Sequence, residues 1–168
     1  MEEADVKRRS APHSSSRGFS LVELSIAVAI AGVLAAIAVP SYRRYLDKNN
    51  ETAAITDLQT ISWKLKTIMV EDPSNLPDNL AVINFGIVLR LTDPWGNPYQ
   101  YLPIFGRPGN LNHARKDHSL HPINSDFDLY SMGPDGTSNK PLTSGPSRDD
   151  IIRANDGAFY GKASVYDP

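Results

Sequence analysis

One carboxylate, Glu23, stands at the edge of an apolar run that is long enough to cross a membrane. Eighteen uncharged and mostly apolar residues follow it, from Leu24 to Ser41. A charged side chain in hydrocarbon costs roughly 2.5–3.5 kcal/mol, so an acid in such a segment is by default a functional group with a partner. Gly18, five residues earlier, closes a polar and charged leader. Glu23 is therefore the first candidate functional residue.

A second group of acids lies towards the carboxyl end of the chain. Asp135 sits in the turn Pro134-Asp135-Gly136, and Asp149 and Asp150 follow after a loop of twelve residues, 137–148. Calcium is bound in proteins by six to eight oxygens from carboxylates and backbone carbonyls, so this group could hold such a cation. The alternative is an ordinary turn followed by solvated acids. The residues alone leave both interpretations open.

Three histidines, His113, His118 and His121, lie in the polar segment 106–122, which we interpret as an inserted loop. Such a triple can bind zinc, but the sequence offers no evident fourth ligand, and a solvated loop is the simpler interpretation. The chain contains serine and histidine but no strand-turn-helix nucleophile motif such as G-x-S-x-G. We therefore expect a protein without catalytic activity.

The apolar run that follows Glu23 allows two ordinary interpretations. A secretory signal peptide would be cut after the small-x-small site Ala36-Ile37-Ala38, so that the mature chain begins at Val39. A plain membrane anchor needs only about 20 apolar residues. Neither interpretation accounts for the glycine and the glutamate that precede the run.

Beyond the membrane-length run the sequence predicts an amphipathic helix and a small β domain. Apolar residues separated by three or four positions mark one helix face: Ala54, Leu58, Ile61, Leu65 and Ile68. Asp72-Pro73 ends this helix, because the residue before a proline disfavours the α region. Strand patterns follow at 99–102 and 126–132. The predicted fold class is α+β, with a long amino-terminal helix packed on a small antiparallel sheet.

Charge and cysteine content narrow the class of protein. The chain of 168 residues has a formal net charge of −2, which gives no reason to expect a nucleic-acid surface. The leader is rich in lysine and arginine, so we expect it to stay in the cytoplasm while the rest of the chain faces outward. No cysteine is present, so no disulfide supports the β domain.

The segment 18–23, Gly-Phe-Ser-Leu-Val-Glu, ahead of an apolar helix resembles the processing signal of type IV pilins and pseudopilins. The resemblance implies that a prepilin peptidase cuts between Gly18 and Phe19 and that Phe19 becomes N-methylated. It also implies that Glu23 pairs with the amino terminus of a neighbouring subunit during filament assembly.

Gly32 and Pro40 occupy the places where pilin-like chains often carry a glycine and a proline. The resemblance implies that this stretch loses helicity when the subunit leaves the bilayer for the filament; a simple kink at the proline is the alternative. It also implies a division of the chain into four parts: a cleaved leader 1–18, a transmembrane and filament-core helix 19–42, an amphipathic helix 43–72 and a periplasmic β domain 73–168.

Three later segments, 93–99 (DPWGNPY), 128–136 (DLYSMGPDG) and 149–151 (DDI), together resemble the major pseudopilin of type II secretion systems. The missing disulfide also favours a pseudopilin over a type IV pilin for adhesion, motility or DNA uptake, which is the alternative. A membrane-tethered ligand-binding domain that never polymerises is a further alternative, and an uncleaved leader would favour it.

The pseudopilin resemblance implies a structural calcium ion in the loop 131–150. Carried over, its ligands are the carboxylates of Asp135 and Asp149, with Asp150 as a further candidate, and the backbone carbonyls of Met132 and Ser131. The loop departs from the family's glycine-rich pattern, because it contains Lys140-Pro141 and Arg148 instead.

The resemblance also implies partners and a location. We expect a polymer of this chain with itself, minor pseudopilins, the prepilin peptidase, inner-membrane lipid, and an inner-membrane assembly platform with its ATPase. The expected location is the bacterial inner membrane, with a single membrane pass and a periplasmic carboxyl-terminal domain, and then a periplasmic pseudopilus after assembly.

Overall fold

The computed structural model describes residues 18–72, 75–83, 91–118 and 120–167. Its regular elements are α1 (Leu21–Glu71), β1 (Gln100–Pro103), β2 (Phe127–Ser131), β3 (Ile151–Ala154) and β4 (Phe159–Lys162). Short 3₁₀ helices lie between them, at Leu80–Val82, Pro108–His113, Gly145–Ser147 and Asn155–Gly157, and one more follows β4 at Ala163–Val165. The predicted α+β class is confirmed.

The chain divides into two compact units, with the boundary between Tyr42 and Arg43. In the first unit, every large apolar side chain of α1 from Leu21 to Val39 is at least half exposed. The helix contains a window of 18 residues with a mean hydropathy of 2.4, which is long and apolar enough to cross a membrane. This apolar surface has no cover within the described part of the chain.

In the second unit, the predicted stripe of α1 packs on the sheet. Ala54, Leu58, Ile61 and Leu65 are fully buried, and Ile68 packs at the edge of the same cluster. Their partners come from the sheet and from the segments that lead into it: Leu76, Leu80, Ile83, Tyr99, Phe127, Leu129 and Ile151. The helix ends at Glu71, directly before the predicted proline stop.

The four strands form one antiparallel sheet in the order β1-β2-β3-β4. Successive side chains of a strand point to opposite faces. Ile151 accordingly joins the cluster under α1, whereas Ile152 joins a second cluster on the other face, with Ile123, Leu142, Ala154 and Ala163. Segments from the long connections between the strands therefore cover the face that α1 leaves open.

The two predicted strands exist, but their bounds differ slightly from the prediction. Tyr99 belongs to the preceding turn, because its N–H donates to the Leu91 carbonyl at 3.1 Å. Asp126 lies outside β2, since its carbonyl accepts from the N–H groups of Ile104 and Phe105. β3 and β4 carry no clear strand pattern in the sequence, and the structure adds them to the sheet.

Candidate functional site

The amino end of α1 is closed by two reciprocal hydrogen bonds between Ser20 and Glu23. The Ser20 N–H donates to Glu23 Oε2 at 2.9 Å, and the Glu23 N–H donates to Ser20 Oγ at 3.2 Å. This capping box satisfies two backbone donors that the helix cannot pair itself. A Ser-x-x-Glu spacing ahead of an apolar run is the sequence signal for this second role of Glu23.

The predicted cleavage bond lies just ahead of this cap. Phe19 is 90% exposed, and a Cβ added at Gly18 would meet no atom of the described residues within 4 Å. Both residues are exposed and lie ahead of α1. The rest of the leader, residues 1–17, lies outside the described residues, and cleavage with N-methylation stays a prediction.

Gly32 and Pro40 both lie inside α1, which continues through them without a break. Pro40 contributes no N–H, so one backbone hydrogen bond of the helix is missing at this point. The predicted loss of helicity in a filament therefore starts from a helical conformation. It stays a prediction.

Two of the motifs that carry the pseudopilin resemblance meet at the end of β2. Asp93 Oδ2 accepts a hydrogen bond of 2.5 Å from the Ser131 hydroxyl, and Asn97 Nδ2 donates to the Gly133 carbonyl at 2.9 Å. Asp93 Oδ1 in turn accepts from the N–H of Asn97 at 2.8 Å and so fixes the turn in which both residues lie. The loop 131–150, which we call the acidic loop, therefore leaves the sheet in a direction fixed by the 93–99 turn.

The loop then closes on itself at Gly133 and Asp149. Gly133 has a φ of +66°, and a Cβ added there would lie 2.6 Å from the Asp149 carbonyl oxygen. Asp149 Oδ2 accepts from the Asp135 N–H at 3.4 Å, and Asp135 Oδ1 accepts from the Thr137 N–H at 2.8 Å. These bonds bring Asp135 and Asp149 together. One carboxylate oxygen of Asp135 also accepts a hydrogen bond from the backbone of its own loop.

Asp150 has a different partner from the one predicted. It is fully buried, and its Oδ2 accepts from Arg115 Nη2 at 2.7 Å and from the Ser138 hydroxyl at 2.6 Å. Burial raises the pKa of Asp150 to about 6, against the opposing charge and hydrogen bond of Arg115. Its other oxygen, Oδ1, has no hydrogen-bond partner among the residues that the structure describes.

Of the predicted calcium ligands, Asp135 and Asp149 lie together, whereas Asp150 is paired with Arg115. Among the described residues, no three His, Asp or Glu side chains lie close enough together to hold a metal ion. The carboxylate of Asp150 is engaged by the Arg115 guanidinium. The Ser131 hydroxyl donates to Asp93, but the predicted ligand atom of Ser131 is its backbone carbonyl. Calcium at Asp135, Asp149 and the carbonyls of Met132 and Ser131 stays a prediction, and it is one that the arrangement of Asp150 does not fit.

The histidine-containing segment is mostly exposed. His113 and His121 are exposed, and His118 is hydrogen-bonded to Asp117 at 2.7 Å. This contact raises the pKa of His118 above its usual value. The segment does contribute one buried cation to the acidic loop, Arg115, which composition and spacing do not single out.

The sequence does not single out the second buried arginine, Arg153 of β3, as a core residue either. Its guanidinium lies over the Phe127 ring, with 4.1 Å between the guanidinium carbon and the ring centroid. It donates to both carboxylate oxygens of Asp126, at 2.8 and 2.6 Å, and to Ser62 of α1 at 3.0 Å. This network fixes α1 on the sheet.

Comparison with known proteins finds one matching family model and several similar chains. Residues 13–39 match the family model described as the prokaryotic N-terminal methylation motif. The chain is 32% identical to the type II secretion system core protein G of Pseudomonas aeruginosa over 136 residues, which cover 71% of this chain and 84% of the relative. It is 31% identical to the protein of the same name from Escherichia coli over 138 residues, 71% of this chain and 83% of the relative.

A fimbrial protein of Pseudomonas aeruginosa is 37% identical over 57 residues, but this match covers only 34% of the chain and 37% of the relative. No solved structure matches the chain. The core protein G relatives, in contrast, extend over most of the sequence, so the resemblance to a type II secretion pseudopilin is confirmed. The chain belongs to the family of type II secretion system core protein G.

Proposed function

We propose that the chain is a major pseudopilin, a structural subunit that polymerises into the pseudopilus of a type II secretion system. The observation that carries this function is the capped apolar half of α1, whose large side chains are all at least half exposed. Such a surface needs a cover of lipid or of neighbouring protein. Lipid covers this surface while the subunit is in the membrane, and neighbouring subunits cover it once the subunit enters the filament core.

Processing prepares the subunit for assembly. A prepilin peptidase cuts between Gly18 and Phe19, and Phe19 then carries the methylated amino terminus. The cut leaves Ser20 and Glu23 in place, so the capping box of α1 is retained in the mature chain. The mature helix therefore begins with a fixed geometry next to its own charged terminus.

Glu23 determines the register in which neighbouring subunits assemble. Its carboxylate neutralises the positive amino terminus at Phe19 of an adjacent subunit. In surroundings of low dielectric, a subunit placed in the wrong register would leave a buried charge alone, so the pairing penalises wrong registers as well as stabilising the right one.

The machinery around the subunit follows from this function. The partners are copies of this chain, minor pseudopilins, the peptidase, and an inner-membrane platform driven by an ATPase. The basic leader keeps the amino terminus in the cytoplasm and the domain that follows α1 in the periplasm. The subunit itself catalyses nothing; the mechanical work comes from its partners.

The decisive experiment is intact mass measurement and amino-terminal sequencing of the chain from native membranes. The proposal requires a mature chain that begins at N-methylated Phe19. A start at Val39 would identify a secreted soluble domain, and a start near Met1 would identify a plain anchor; either result overturns the proposal. Gly18→Val is the matched control, since it keeps the apolar helix and the Ser20–Glu23 cap while removing the glycine, and it should accumulate unprocessed.

Assembly is tested separately by Glu23→Ala. We expect this variant to be processed normally but to form no filaments, because the terminus of the neighbouring subunit loses its counter-charge. Crosslinking in membranes and electron microscopy of sheared material measure the filaments. Normal filaments from Glu23→Ala would contradict the proposed role of the carboxylate.

A further inference from the structure

The acidic loop contains a buried positive charge that comes from outside the loop. Arg115 belongs to the inserted segment 106–122, yet its side chain is only 4% exposed and ends at the fully buried carboxylate of Asp150. Nη2 donates to Asp150 Oδ2 at 2.7 Å, and Nη1 donates to the Ser138 hydroxyl at 2.6 Å. Ser138 in turn donates to the same Asp150 oxygen at 2.6 Å.

Both the backbone and the side chain of Arg115 are held in place. Its backbone N–H donates to Asp128 Oδ2 at 2.5 Å, and its carbonyl accepts from the Ile123 N–H at 3.1 Å. The guanidinium lies over the ring of Tyr130, with 4.1 Å between its carbon and the ring centroid, which is a cation–π geometry. Both Asp128 and Tyr130 belong to β2, so the sheet itself aims this cation at the loop.

The inserted segment is also paired with the backbone of the loop. The Leu142 N–H donates to the Lys116 carbonyl at 2.9 Å, and the Lys116 N–H donates to the Lys140 carbonyl at 3.3 Å. Lys116 and Pro141 thereby form a parallel bridge. The inserted segment therefore supports the acidic loop through backbone hydrogen bonds as well as through Arg115.

A calcium ion and this guanidinium would compete for Asp150. Calcium lies 2.3–2.6 Å from its oxygen ligands, and Asp150 Oδ2 already accepts two hydrogen bonds at comparable range. Asp150 Oδ1, which has no partner within the described part of the chain, belongs to a residue with no exposed surface, so an ion could reach it only by displacing its neighbours. Two adjacent cations would also repel each other in a buried site.

We infer that Arg115 is the resident cation of the 131–150 loop and takes the place that the family resemblance gives to calcium, so that the loop folds without a divalent ion. The insertion 106–122 thereby has a structural purpose, which is to carry this charge to Asp150. Lys140-Pro141, the departure from a glycine-rich loop, is the stretch to which the insertion is paired. The inference does not depend on filament assembly.

The first test is the thermal unfolding of the full chain in detergent micelles, with excess calcium and then with excess EDTA. We expect the same midpoint in both. A ligand at about one hundred times its Kd would raise the midpoint of a domain of this size by roughly 10 °C. A calcium-dependent rise in the midpoint of the unaltered chain would overturn the inference.

The second test asks whether the charge of Arg115 is what Asp150 needs. Arg115→Met keeps an unbranched apolar stem but removes the guanidinium, which leaves a buried carboxylate unpaired, so its midpoint should fall by several degrees or more. Adding Asp150→Asn to that variant should recover part of the loss. Arg148→Met removes a charge from an exposed position of the same loop and should leave the midpoint unchanged.

If adding Asp150→Asn does not reduce the fall in midpoint caused by Arg115→Met, the two side chains are not coupled. The inference would then fail. If Arg115→Met does not fold, the double variant supplies the decision: a folded double variant beside an unfolded single variant is the strongest support for the pairing. An unfolded double variant would overturn it, because replacing both partners of a buried ion pair is ordinarily tolerated.

Discussion

Arg153 of β3 donates two hydrogen bonds, of 2.8 and 2.6 Å, to the two carboxylate oxygens of Asp126, the residue that precedes β2. Both residues are buried, and Arg153 also contacts the ring of Phe127 and the hydroxyl of Ser62 on α1. One ion pair therefore joins the helix to two strands of the sheet. Removing one partner of such a pair leaves an unpaired charge in the core, which costs far more than the pair itself contributes.

Arg153→Met should lower the free energy of unfolding by about 3–5 kcal/mol, because Asp126 is left buried without its main counter-charge. Chemical denaturation of the full chain in detergent measures the loss. Lys66→Met is the matched control: Lys66 also contacts Asp126, at 2.6 Å, but its side chain is 42% exposed, so we expect a loss below about 1 kcal/mol. Equal losses in the two variants would contradict the central place of Arg153.

The same pair predicts a response to acid. Burial alone would raise the pKa of Asp126, but the hydrogen bonds and charge of Arg153 and the hydrogen bond from Lys66 outweigh it and lower the pKa to about 2. An unfolded aspartate titrates near pH ~3.9. Because the folded pKa is the lower of the two, the ionised carboxylate stabilises the fold above about pH 4, and that stability is lost as the pH falls towards about 2.

We expect this carboxylate to account for a loss of about 2 kcal/mol between about pH 4 and pH 2. Unfolding midpoints measured along that series give the profile. Asp126→Asn, which cannot titrate, should show a flatter profile over the same window. A profile as steep as that of the unaltered chain would mean that other acids carry the response.

The fold could be predicted from the sequence where a repeated pattern determines the structure. The apolar stripe from Ala54 to Ile68 has a helical period; four of its five residues, Ala54, Leu58, Ile61 and Leu65, are fully buried, and Ile68 is partly buried. β2 follows an alternating pattern. β4 does not, because Gly161 interrupts it and its side chains are only partly covered, so local residue types give no strand signal there.

The partners of buried charges could not be predicted from local patterns. Asp126 pairs with Arg153, 27 positions away, and Asp150 pairs with Arg115, 35 positions away. Sequence proximity points instead to the basic residues of the inserted loop for Asp126 and to exposed Arg148 for the acidic loop. Such pairs depend on strand register and on which face a loop covers, and neither is encoded within a short window.

The closed form of the acidic loop depends on Gly133. Gly133→Ala adds a Cβ that would lie 2.6 Å from the Asp149 carbonyl oxygen, at a φ of +66° that only glycine adopts readily. We expect a loss of about 1–3 kcal/mol or more in the free energy of unfolding, from backbone strain and the forced shift of Asp149.

Two other glycines separate these causes. Gly96→Ala places an alanine at a φ of +95°, which is strained, but its Cβ meets no atom of the described residues within 4 Å, so it should cost less than Gly133→Ala. Gly145→Ala has open space and no left-handed backbone conformation, so it should be close to neutral. If all three alanine variants unfold alike, the contact between Gly133 and Asp149 does not hold the loop.

Glu23 has two roles that a single alanine variant cannot separate, since the carboxylate is both the N3 residue of a capping box and the proposed counter-charge of a neighbouring terminus. Glu23→Gln retains an oxygen that can accept from the Ser20 N–H, but it carries no charge. Ser20→Ala removes the hydroxyl that caps the Glu23 N–H, at a cost of about 1 kcal/mol to the helix, and retains the charge. If the charge sets the register of the polymer, crosslinking in membranes should detect filaments of Ser20→Ala and none of Glu23→Gln. The reverse result would mean that Glu23 acts by starting the helix, and the electrostatic account of assembly would have to be abandoned.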